Sequence, residues 1–65
     1  MSTAKVIEIV AEGKSVENAI DNAVGQAAEI LHSIRSVWVE HINAMVENEK
    51  VVGYRINAKI TCVPD

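Results

Sequence analysis

Val51-Val52-Gly53-Tyr54-Arg55-Ile56-Asn57-Ala58-Lys59-Ile60-Thr61-Cys62-Val63 is the stretch that decides the fold. Val52, Tyr54, Ile56, Ala58, Ile60 and Cys62 fall on one side of a two-residue period, and Val51, Gly53, Arg55, Asn57, Lys59 and Thr61 on the other. That alternation describes a β-strand with one apolar face and one polar face. Pro64 is expected to stop it, because proline donates no hydrogen bond to a ladder. An apolar row on a single strand is stable only under a covering layer, so the rest of the chain must supply one.

The layer lies upstream. Ser15 is a good helix N-cap, and Glu17 sits in the first turn, where the helix dipole favours an anion. From there Val16, Ala19, Ile20, Ala23, Val24, Ala27, Ile30, Leu31 and Ile34 recur at steps of three and four, the stripe of an amphipathic helix. Glu17, Asn18, Asp21, Asn22, Gln26 and Glu29 occupy the opposite face. Before the helix, residues 4–11 are rich in β-branched side chains and read as a strand, broken by Glu12-Gly13-Lys14. After it, residues 37–46 read as a second strand, joined to the strand at 51–63 through Glu47-Asn48-Glu49-Lys50. The join suggests a β-hairpin, although Asn-Glu is a weaker turn signal than Asn-Gly. The whole chain, residues 1–65, thus reads as one α+β domain with the order β-α-β-β.

Trp38 is the only tryptophan, and the chain has no phenylalanine. A large ring on a strand, among small aliphatic neighbours, needs a partner that one copy of the chain does not offer. A hairpin closing symmetrically about Asn48-Glu49 sets Val46 opposite Val51, Ile42 opposite Arg55, and Trp38 opposite Lys59. Directly opposed residues share a face. Trp38, Glu40, Ile42 and Arg55 are then expected to point away from the helix, and His41 toward it. So apolar an outer face implies an interface or a ligand site. Trp38 and Arg55 are expected to lie roughly 13 Å apart along the strands. A compact ligand touched by both would draw them from different subunits.

Composition narrows the alternatives. A chain of 65 residues buries only about 60% of its unfolded surface, and scaffolds of this size need disulfides, a metal or association. Cys62 is the only cysteine, so no internal disulfide can form, and a lone thiol of core type fits a reducing cytoplasm. His32, His41 and Cys62 lack the paired spacing of a zinc site. Self-association remains. The net charge of −3 argues against a nucleic-acid partner, and no apolar run reaches the roughly 20 residues of a membrane span. No nucleophile sits beside a base and no glycine-rich phosphate loop is present, so an enzyme is not expected. A His41–Glu40 couple is set aside because adjacent strand residues point to opposite sides. Glu47 and Glu49 read as solvated turn residues rather than a calcium loop.

The chain resembles the dodecins along essentially its whole length. The likeness runs through Lys5-Val6-Ile7-Glu8-Ile9, the capped helix Ser15-Val16-Glu17-Asn18-Ala19-Ile20, Val37-Trp38-Val39-Glu40, Val46-Glu47-Asn48-Glu49-Lys50-Val51 and Gly53-Tyr54-Arg55-Ile56-Asn57-Ala58-Lys59-Ile60. The resemblance implies a three-stranded antiparallel sheet wrapped around one helix, and a hollow homo-dodecamer of such units. It also implies binding of a flavin (riboflavin or FMN) stacked on tryptophan between subunits, for storage rather than turnover. Trp38 matches the family's stacking tryptophan. Arg55 stands where flavin-binding members usually carry glutamine, and Met45 stands where many carry a phosphate-suited arginine. Arginine donates hydrogen bonds but accepts none, unlike glutamine. The site residues implied are therefore Trp38 and Arg55, with no metal. Two other readings stay open: a shell with weakened or lost flavin binding, and a site for another planar or anionic small molecule with Arg55 supplying charge.

Overall fold

The computed structural model describes residues 3–63. The elements run β1 (Lys5–Gly13), α1 (Val16–Ala28), β2 (Ile34–Glu47) and β3 (Lys50–Cys62). The sheet order is β1-β3-β2, with β3 central and antiparallel to both neighbours. This is the expected β-α-β-β arrangement. The expected stop at Pro64 lies outside the described residues.

Apolar rows cross the inner face of the sheet, each centred on β3. Ile7, Ile60 and Val37 form one, and Ile9, Ala58 and Val39 the next. Over them lies α1, whose buried residues are Ala19, Ala23 and Ala27. Alanine at every fourth position lets the helix axis come down close to the sheet, so that Ile56 and Ile60 fill the space between. Buried Cys62 extends this core, as its alternation with Ile60 suggests.

The start of α1 is fixed by its cap. Ser15 Oγ accepts a hydrogen bond from the Asn18 backbone N–H at 2.9 Å, and Asn18 Oδ1 accepts from the Lys14 N–H at 3.0 Å. Two orphan donors are thus satisfied reciprocally, in the manner of a capping box. The same packing explains Gly13. A Cβ placed there would lie 2.5 Å from the Ala19 amide nitrogen and 2.9 Å from its Cα. Backbone cannot yield as a flexible side chain can. Gly13→Ala is therefore expected to lower stability by about 1–3 kcal/mol, read as a shift in the urea midpoint at unchanged slope.

The helix is shorter than its apolar stripe. It ends at Ala28, and Ile30 is exposed while Ile34 already opens β2. Leu31 and Ile34 still pack on the core, but from the connection and the strand. The three-four spacing carries on because the core is contacted, not because the helix is. Ser33, at φ 59°, redirects the chain. At the first strand, Glu12 and Gly13 belong to β1 rather than breaking it.

The hairpin turns through Asn48 (φ 50°) and Glu49 (φ 65°). Left-handed backbone at both central residues is the type I′ turn that matches strand twist. Val46 pairs with Val51 and Trp38 with Lys59, as symmetric closure requires. Between them the expected register fails. Val52 is an extra residue on β3 and Glu40 an extra residue on β2, so Ile42 faces Ile56 and Asn43 faces Arg55. A bulge shifts pairing by one residue and so exchanges faces. Ile42 therefore belongs to the inner face, and His41, opposite Asn57, to the outer one. Both assignments reverse the expectation.

Candidate functional site: the outer face of the sheet

Four rows of side chains cross the outer face in register. They are Val6–Thr61–Ser36, Glu8–Lys59–Trp38, Val10–Asn57–His41 and Glu12–Arg55–Asn43. Trp38 is 69% exposed, and Val6 and Val10 on β1 are also more than half exposed. Within one chain the indole has no cover.

Arg55 lies on the same face but is already engaged. Its Nε and Nη2 donate to Glu12 Oε2 at 3.0 and 2.8 Å. Glu12 is itself tied to the helix, because Asn22 Nδ2 donates to the Glu12 carbonyl at 2.7 Å. Lys59 Nζ lies 3.6 Å from Glu40 Oε2. Met45 closes the far end: its Cε would be 3.1 Å from a Cβ on Gly53, so it lies over that glycine.

Glu12 escaped the sequence reading. The signal was present, since Glu8 and Glu12 are spaced as Lys59 and Arg55 are, in opposite chain sense. Opposite charges face each other at both positions of the β1–β3 register, and the Glu12–Arg55 pair closes into an ion pair. At the bulge Glu40 and His41 both lie on the outer side, so the alternation expected to separate them does not hold there. The Glu40 carboxylate nevertheless turns to Lys59.

An open groove of about 710 Å³ runs elsewhere, between β1 and the polar side of α1. Glu12, Asp21 and Glu29 line it, but Trp38 and Arg55 do not. It is shallow and acidic, with no aromatic side chain, and offers a planar ligand nothing to stack on. Among the described residues no cluster of histidine, cysteine or carboxylate side chains is arranged to hold a metal ion. No described helix is long and apolar enough to cross a membrane.

The family model for dodecin matches residues 3–65. The chain belongs to the dodecin family. Solved structures carry the same fold. The dodecin from Streptomyces davaonensis superposes with a TM-score of 0.86 at 22% identity, over 98% of this chain and 96% of that one. The Streptomyces coelicolor dodecin gives 0.86 at 23%, over 98% and 93%. A tryptophan-to-phenylalanine variant of the Thermus thermophilus dodecin gives 0.88 at 20%, over 100% and 98%. Among curated proteins none matches. Toward the hairpin turn of β2 and β3, Ile42, Val46, Val51 and Val52 are exposed.

Proposed function

We propose that this dodecin is a non-enzymatic cytoplasmic protein that sequesters a flavin, riboflavin or FMN, against Trp38 within an assembly of twelve copies. The observation that carries the reading is the bare indole on a sheet face flanked by Val6 and Val10. Offset stacking on a planar ring is favourable by about 0.5–1.5 kcal/mol beyond area burial. Association is supported by the core itself. Among the described residues its buried apolar set is five alanines, two isoleucines and Cys62, while eight large apolar side chains stay exposed. Such a distribution suits a protomer that finishes its core against copies of itself.

Riboflavin fluorescence titration tests the site: quenching at micromolar protein is expected, with dependence on Trp38. Light scattering after size exclusion tests the assembly, and a stable folded monomer is not expected. A second reading is a dodecin shell that has lost flavin binding. The Arg55–Glu12 pair and Met45 over Gly53 favour it, because both fall at positions where the family resemblance implies a polar contact to flavin. Absence of quenching by riboflavin and by its phosphate would establish that reading. The third, an anionic ligand held by Arg55, is weakened because Glu12 already takes that charge.

A further inference from the structure

The sheet order leaves β1 paired on one side only, so its other edge is open. Along an antiparallel edge strand every second residue turns its N–H and C=O away from the partner strand. Glu12 is such a residue, because its carbonyl accepts from Asn22 Nδ2 on α1. Val10, two residues earlier and 55% exposed, presents its backbone groups to the same edge. Among the described residues no side chain caps them. The acidic groove lies along this edge, walled on its far side by α1 from Asp21 to Glu29. Two features of that wall do nothing for the chain itself. Gly25 is an exposed glycine inside the helix, which it weakens relative to alanine, and a Cβ there would meet nothing within 4 Å. Asp21 and Glu29 stand four residues to either side of it in one row, and neither forms an ion pair among the described residues. Glu29 is also the C-cap of α1, whose last turn holds no basic residue, so a carboxylate stands where the helix dipole favours a cation. The wall therefore attracts positive charge at two points about 12 Å apart by the helical rise, with bare backbone between them.

We infer that the free edge of β1 takes an extended basic segment of a partner protein as a fourth strand, with two Lys or Arg side chains four residues apart reaching Asp21 and Glu29. In an extended segment residues i, i+2 and i+4 point to one side, and four residues span about 13 Å, which matches the carboxylate spacing. The residue between the two cations passes over Gly25 and must be small. The Asn22 amide already serves the Glu12 carbonyl, so Val10 is the residue whose backbone the segment pairs with. Main-chain bonds at the open edge hold the segment, and the two carboxylates select its charge. Trp38 takes no part, so this surface serves whether or not a flavin is bound.

Fluorescence anisotropy of a labelled peptide containing Lys-Val-Ser-Val-Lys, titrated with the assembled protein at low salt, tests this. Saturable binding is expected, with a Glu-Val-Ser-Val-Glu peptide inert. N-methylation of alternate amides in the basic peptide should abolish binding, because it removes donors to the edge and leaves the charges in place. Asp21→Asn combined with Glu29→Gln should weaken binding about tenfold, the joint scale of two exposed ion pairs. Salt at about 1 M should weaken it similarly, since the screening length falls to roughly 3 Å. Gly25→Leu should abolish binding by filling the groove. Size exclusion with light scattering is expected to give every variant the wild-type mass. Absence of saturable binding up to millimolar peptide overturns the inference. So does equal affinity for the methylated peptide, which would reduce the contact to charge alone. A fall in assembly mass in either variant would mean that a second copy fills this groove, and overturns it as well.

Discussion

Ile60→Ala is expected to destabilise the fold by about 2–5 kcal/mol, the range for truncating a fully buried aliphatic side chain. Ile60 has no exposed surface and sits on the central strand, flanked by Ile7 on β1 and Val37 on β2. Above it the helix offers alanine methyls, which cannot lengthen to fill a void. The surrounding positions are held by ladders on both sides of β3, so collapse around the cavity is restricted. The upper end of the range is therefore appropriate. Ile60→Val should cost only about 0.5–1.5 kcal/mol. Denaturant melts at several protein concentrations would check both. A loss under 1 kcal/mol for the alanine variant would mean that the buried rows are not where the stability of this chain resides.

Trp38→Ala is expected to weaken flavin binding by roughly a hundredfold. The stack itself accounts for about 0.5–1.5 kcal/mol. Burial of the indole face adds about 25 cal/mol per Å² of apolar surface covered, and each ~1.4 kcal/mol is a factor of ten in affinity. Trp38→Phe should retain part of the binding, since a smaller ring still stacks. The side chain is 69% exposed in a single chain, so its loss should leave the protomer fold intact. That separates the ligand role from a packing role. If Trp38 serves only a subunit contact, the alanine variant will lower the assembly mass and leave the affinity for riboflavin unchanged.

Much of this was legible in the residues, for identifiable reasons. The alternation of β3 assigned Ile56, Ala58, Ile60 and Cys62 to the buried face correctly, because that strand is central, whereas Val52, expected in the same row, is an exposed bulge residue. Ser15 was legible because capping is local chemistry. The end of α1 was not, since Leu31 and Ile34 touch the core at helical spacing without being helical. The pairing of Trp38 with Lys59 emerged from symmetric closure only because the offset at Val52 is undone at Glu40 before that point is reached. Nothing in the composition of either bulge announces it, so Ile42 and His41 were placed on the wrong faces. The partner of Arg55 required the β1–β3 register, which depends on residues more than forty apart in sequence.

Of the three offsets between β2 and β3, those at Val52 and Glu40 behave like a frameshift and its suppressor. Only the segment between them is read in the altered phase, and Trp38 lies past the second, back in the original one. Glu40 and Val52 are the residues left without a partner, so excising either would join pairs that already alternate, with Val39 still opposite Ala58 and Trp38 still opposite Lys59. The indole would stay outward. An extra residue at a paired position would instead turn every side chain beyond it to the other face, so on this hairpin single-residue gains and losses are tolerated at the bulges and nowhere between them.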